Sequence, residues 1–328
     1  MGAVTNTAVL DDELGPAEGR YFGQGYRQVS HTLRDPTVEE SDAPRDCSWT
    51  GEVAYPERWS VNPDGSSRTP HLSSIDAIVL GLLALQSVRQ VSEGSLAFGE
   101  CDVLQVELHS GSTPWWDLKA VPVTLALSPS TPAGWSGEFV SALVGNIRVR
   151  MSVSDPHWPL PRDLSTVGVS LGAKGEKTAV SRPVIWTTTV QFDPSTSVLM
   201  ATHAVRNDPN MAGKVTVTSS NRWALEMPII HYLVTLGQLT QALVYRAGET
   251  RREKVENLWM RSLRITLPNP VSTSFAFAGA EFTTTTRIVK ESALKVNGRL
   301  LRCLQVASET SDGVVAAASV AYFEEAVE

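Results

Sequence analysis

The sequence predicts an α+β protein in which two bent antiparallel sheets each enclose one apolar helix. Three observations carry the prediction: two helix-length stretches that are apolar on every side, strand-patterned segments around both, and one element order used twice along 328 residues.

The first stretch, HLSSIDAIVLGLLALQ (71–86), has a single carboxylate, Asp76, near its start. Ser73-Ser74-Ile75-Asp76 matches a capping box, with Ser73 at the N-cap and Asp76 at N3. The second, EMPIIHYLVTLGQLTQALVYR (226–246), repeats the design, with Pro228 suited to the first helical position and His231 one turn in. A helix apolar all round must be buried all round, and a sheet curved about it achieves this. DVLQVELHS, AVPVTLALS, EFVSALVGNIRVRMSVS, VIWTTTVQF, SVLMATHAV, GKVTVTSS, LWMRSLRITLP, EFTTTTRIVK, RLLRCLQVASE and VVAAASVAYFEE supply the strands, clustering β-branched and apolar residues between turn formers. Each helix follows a strand-rich lead-in and precedes several longer strands. The turn-rich SDPHWPLPRDLSTVGVSLGAKGEK (154–177) separates the copies. This is the pattern of a hotdog fold, and two copies predict a double hotdog: a first half over 1–160, a linker over 161–177 and a second half over 178–328. Two unrelated α+β domains are the less economical alternative. Because the halves complete each other's sheet edge, a monomer or a loose homodimer is expected.

Composition narrows the function classes. With 42% hydrophobic and 19% charged residues the chain reads as soluble and globular, and a net charge of −7 gives no footprint for nucleic acid. Cys47, Cys101 and Cys303 lie far apart with no CxxC spacing, so neither a zinc site nor a disulfide framework is indicated, and a reduced compartment fits. MGAVTNTAVLDDELG lacks a basic n-region, and the apolar runs are too short to span a bilayer, so a cytoplasmic protein with no membrane partner is expected. P-loop, GxGxxG, HExxH and GxSxG elements are missing from the sequence, which sets aside the common nucleotide, zinc-protease and α/β-hydrolase readings.

GPAEGRYFGQGYR (15–27), SIDAIVLGLLALQ and MPIIHYLVTLGQLTQALVYR together resemble the AvrD family of avirulence D proteins, associated with syringolide-type acyl lactones. That resemblance implies condensation of a β-ketoacyl thioester with a small sugar-like polyol, followed by cyclisation. It extends distantly to the AfsA-type γ-butyrolactone synthases. PHLSSIDAIVLGLLALQ is also similar to the helix signature H-P-x-x-L-D-A-x-x-Q of polyketide dehydratase double hotdogs: His71, Asp76 and Ala77 fall on it, and Leu80 departs where Gln would stand.

The candidate site residues follow. Asp76 is either a desolvated acid or base or a helix cap, and the two can coexist. His71, within a turn of it, is a proton shuttle or a loop residue. His231, costly to bury without a partner, is reactive or a satisfied core histidine. Glu226 precedes the second helix and either contributes a carboxylate or favours the helix dipole. Gln238 and Gln241 either orient a thioester carbonyl or bond a neighbouring strand. Tyr21, Tyr26 and Arg27 are candidates for binding a hydroxylated substrate. Arg246, with Arg251, Arg252 and Lys254, either solvates a helix end or receives an acidic carrier. Trp115, Trp116 and Trp135 either line an acyl channel or fill the sheet, and filling is the preferred reading. No metal or organic cofactor is expected, because the hydrogens to be moved sit on a carbon acidified by two carbonyls. Three functions remain open: a lactone-forming condensing enzyme, a dehydratase or thioesterase, and a non-enzymatic acyl-chain binder.

Overall fold

The structure, a computed structural model, describes residues 6–8, 10–38, 46–57, 59–61, 65–93, 103–127, 133, 135, 137–153, 183–207, 227–248, 255, 258–268 and 279–324. Its strands are β1 (Asn6–Ala8), β2 (Ser30–Val38), β3 (Asp46–Ala54), β4 (Val103–His109), β5 (Val121–Leu127), β6 (Glu138–Val144), β7 (Ile147–Val153), β8 (Pro183–Asp193), β9 (Val198–Asn207), β10 (Trp259–Thr266), β11 (Glu281–Val296), β12 (Arg299–Thr310) and β13 (Val315–Phe323). The helices are α1 (Leu10–Leu14), α2 (Ser74–Glu93) and α3 (Pro228–Ala247). EFVSALVGNIRVRMSVS folds as the β6–β7 hairpin, whose turn puts Gly145 at a φ of 58°. GKVTVTSS lies outside the described residues.

All the strands join one antiparallel sheet in the order β1-β8-β9-β11-β12-β13-β10-β4-β7-β6-β5-β3-β2. Outward from the β4–β10 seam the two sides match: β4-β7-β6-β5-β3-β2 faces β10-β13-β12-β11-β9-β8, so each strand of the first half has its counterpart six strands later. The helices occupy the matching place after β3 and after β9. This is the α+β, hotdog-type arrangement, a large antiparallel sheet with few helices.

Burial explains why the helices have no polar stripe. Residues 75–85 of α2 are all buried, and the helix packs on β2, β3, β5, β6 and β7. Gly51 in β3 permits the close approach, since a Cβ there would lie 3.2 Å from Leu80 and from the Val121 carbonyl oxygen. Residues 229–236 of α3 are likewise all buried, against β4, β8, β9 and β11. The seam is itself core: Val106 pairs with Ile265 and Leu108 with Leu263, all buried.

One part of the chain lies elsewhere than the sequence division implies. β1 pairs with β8, and α1 packs on α3, where the Glu13 carboxylate accepts from Arg246 Nε at 2.7 Å and from its Nη2. Residues 6–14 therefore sit on the second half, and β1 covers a β8 edge that would otherwise be open. No helix among the described residues is long and apolar enough to cross a membrane.

Candidate active site

The chemistry gathers at the start of α2. The predicted capping box is formed: Asp76 N–H donates to Ser73 Oγ at 3.1 Å, and Ser73 N–H donates to Asp76 Oδ2 at 2.8 Å. A cap needs no more than this, yet Asp76 is wholly buried and three further side chains converge on it. His31 Nε2, from β2, donates to Oδ1 at 2.8 Å; the Tyr55 hydroxyl, just after β3, donates to Oδ2; and the Tyr21 hydroxyl reaches Oδ1 at 3.4 Å. An ionised carboxylate only accepts, so His31 carries its proton on Nε2. Burial works against ionisation of Asp76, but the hydrogen bonds and charge of His31, with the bonds from Tyr55 and Ser73, outweigh it and hold the carboxyl below its usual range. Burial and the Asp76 charge push both Tyr21 and Tyr55 well above the usual phenol range, so both are neutral donors at neutral pH.

A cavity of about 750 Å³ adjoins this cluster, between the start of α2 and one face of α3. Its wall includes Tyr21, Ser73 and His71 but not Asp76, His31 or Tyr55. The buried carboxylate therefore meets the cavity at one remove. Ser73 Oγ already accepts from Asp76 N–H, so its own proton is free for Tyr21, 2.6 Å away. The Tyr21 proton reaches Asp76 only at 3.4 Å and is available to a ligand. The cavity is two-sided. Near α2 it is lined by Ser, Thr and Trp side chains; toward α3 and β13 it is lined by Leu233, Leu236, Leu263, Ala316, Ala318 and Val320. Arg20, Arg68 and Arg261 contribute to its wall, and no Asp or Glu does among the described residues.

Of the candidates read from sequence, Asp76, His71, Tyr21 and Gln241 come to this place, the last three in the cavity wall. His71 lies edge-on to Trp59 and Trp116, with ring centres 6.4 and 5.7 Å apart, and burial lowers its pKa, so the imidazole is neutral. Trp115 and Trp116 also line the cavity, whereas Trp135 packs on Phe139. The others take structural places. His231 is buried in α3, its pKa pushed down to about 3 by burial and the nearby Arg27 charge. Gln238 accepts from Arg20 at 3.1 Å and donates to the Phe22 carbonyl at 2.7 Å. The buried Tyr26 hydroxyl accepts from Arg27 Nε at 2.9 Å, and Arg246 is held by Glu13. Glu226, Arg251, Arg252 and Lys254 lie outside the described residues.

His31 and Tyr55 escape the sequence reading. Each continues an inward-facing alternation, His31 between buried Val29 and Leu33, Tyr55 after buried Trp49, Gly51 and Val53. A histidine on the core face of a strand was the available signal. Among the described residues, no group of three His, Cys, Asp or Glu side chains is placed to hold a metal ion.

Among solved structures, the chain is similar to a hot dog fold protein of unknown function from Alicyclobacillus acidocaldarius, at 11% identity and a TM-score of 0.39, covering 89% of this chain and 97% of that one. The tesB protein of Mycobacterium avium subs paratuberculosis gives 12% and 0.40, covering 88% and 96%. The dehydratase domain of PpsC from Mycobacterium tuberculosis, in complex with C12:1-CoA, gives 8% and 0.35, covering 88% and 98%. These are distant likenesses, and function has to be read from the residues. No curated protein matches the sequence significantly. The family model described as Pseudomonas avirulence D protein matches residues 6–322, nearly the whole chain, and the protein belongs to that AvrD family.

Proposed function

We propose that this is an enzyme that transfers a β-ketoacyl group from a thioester to a hydroxyl of a small polyol and then closes a lactone-type ring. We read the halves as a double hotdog, with residues 6–14 added to the second half and a single reaction site at the start of α2. One observation carries the reading: Tyr21 and Ser73 stand in the cavity wall while hydrogen-bonded to a buried, ionised carboxylate. Without a ligand to serve, burying that charge would be an unrewarded cost.

The roles follow from placement. Neutral His71 takes the proton from the attacking hydroxyl, and the fixed negative charge of Asp76 favours the imidazolium that forms. Tyr21 donates to the thioester carbonyl oxygen as negative charge develops there. The new C–O bond forms, the C–S bond breaks, and the thiol leaves with the proton from His71. For ring closure the polyol must be sugar-like and carry a ketone: the same base removes a proton from the carbon between the two carbonyls, that carbon attacks the ketone carbon as its C=O π bond opens, and the resulting alkoxide takes the proton back from His71. Asp76 touches neither partner and is a positioning residue, with His31 and Tyr55 holding it. The apolar side of the cavity takes the acyl chain, within the ordinary size range of ligand sites. Arg68 and Arg261 suit a phosphate-bearing thioester carrier, either coenzyme A or a carrier protein arm.

The test is mass analysis of products after incubation with a β-ketoacyl thioester and a panel of polyols, with thiol release followed in parallel. A product carrying both acyl and polyol is expected. Thiol release independent of polyol would replace this reading with a thioesterase, and acyl binding without turnover would replace it with a carrier.

A further inference from the structure

β11 outruns its outer neighbour β9, while on the other side β12 stays paired with β13 to Leu301. β9 pairs with β11 only from Glu281 to Arg287, whereas β12 stays paired with β11 to the tip at Val296 and Arg299. The tip is a tight two-residue turn, Asn297 at φ 50° and Gly298 at φ 81°, the type I′ geometry that matches strand twist. Residues 289–296 therefore present an open backbone edge among the described residues. Residues 289–296 of β11 are exposed, and Val289 (59% exposed), Leu294 (56%) and Val296 (36%) project from them, with Leu300 (38%) on the adjoining strand. An open edge with apolar side chains is a template for another strand.

Its charges select the strand. Lys290 and Lys295 repel indiscriminate pairing, and Glu291 stands four residues before Lys295. We propose that this edge pairs with the same edge of a second copy of the chain, antiparallel about a twofold axis through Ala293. In that register Glu291 faces Lys295 of the second copy, and Lys295 faces its Glu291. Moving the axis to Ser292 or Leu294 sets Glu291 against Ala293 or Asn297, and both ion pairs vanish. On the same face Arg302 Nη1 donates to Glu291 Oε1 at 2.5 Å, so each carboxylate lies between two cations. The contact is isologous, as a twofold dimer requires, and small beside a standard interface, so the dimer is a loose one.

Sedimentation of the full chain from about 1 μM to about 1 mM should show monomer and dimer exchanging. Glu291→Lys and Lys295→Glu each set like charges opposite one another and should weaken the dimer by about tenfold or more. An equimolar mixture of the two variants should associate again as a heterodimer, because each supplies the charge the other lacks. Circular dichroism and melting of each variant establish that it is folded. A wild-type chain that stays monomeric, a dimer indifferent to both substitutions, or folded variants that fail to associate on mixing would each overturn the proposal. So would an arm that captures another protein while the chain itself stays monomeric.

Discussion

Asp76→Asn separates a helix cap from a buried hub, because the two predict different magnitudes. A cap alone is worth about 1 kcal/mol, and Asn still accepts hydrogen bonds. As a hub, Asp76 uses both oxygens: Oδ1 accepts from His31 and Tyr21, and Oδ2 from Tyr55 and Ser73 N–H. Asn turns one oxygen into an NH₂ that faces two donors, and buried donors left without acceptors cost about 1–3 kcal/mol each, so a loss of roughly 2–6 kcal/mol is expected. Denaturant unfolding of wild type and variant measures this. Turnover should fall by roughly 10²–10³, the scale for losing one preorganised group beside a developing charge. A third readout is specific to charge. Asp76 raises the pKa of His71, partly offsetting burial, so the neutral variant should carry the acid limb of its rate profile to lower pH. A stability loss near 1 kcal/mol with normal turnover in the folded fraction would reduce Asp76 to a cap and refute the reasoning.

Further outcomes follow from the same contacts. His31→Ala removes the strongest support for the ionised carboxylate, so the Asp76 pKa should rise. Its depressed folded pKa contributes stability that is present above the unfolded value near 3.9 and lost as pH falls through the folded value; in the variant the two values lie closer together, so this acid-induced loss should be smaller in acid unfolding curves. Tyr21→Phe should lower kcat far more than melting temperature, since the residue lines the cavity and Asp76 keeps its closer donors His31, Tyr55 and Ser73 N–H. Ala318→Phe fills part of the apolar wall and should shift acyl preference toward shorter chains in competition assays. His203 and His231 are buried, with pKa values lowered to about 4 and about 3, so both must charge on unfolding in acid. Their stabilising contribution is complete above about 6.5 and drains as pH falls toward those values, and His231→Gln should flatten that part of the stability profile.

The helices, the capping box and the strands from β4 onward are legible in sequence because each is written in residues that are neighbours or share a short period. The first strand of the site is not. SHTLRDPTV carries Asp35 at φ 53° and a register shift between Arg34 and Thr37, with Pro36 in the irregularity, so it reads as a turn although it pairs along β3. His31 lies in that strand. The donors to Asp76 stand 45, 55 and 21 residues away from it, and only the closing of the sheet about α2 brings them together. Gln238 and Arg246 are held outside the cavity wall for a related reason: their helical faces meet the N-terminal segment, whose docking on α3 has no sequence signature.

The β4–β10 seam has a consequence for how the molecule persists at low abundance. Two separate subunits joined along such an edge would part on dilution, whereas halves carried by one chain meet at an effective concentration fixed by their tether, on the order of millimolar for a short one. The joint is then indifferent to how many copies a cell makes. One half can also lose a feature without the other losing it: three places beyond the N-cap, where α2 has Asp76, α3 has Ile230. Within a symmetric pair every substitution is made twice; here the second helix is free to lose a carboxylate that the first keeps.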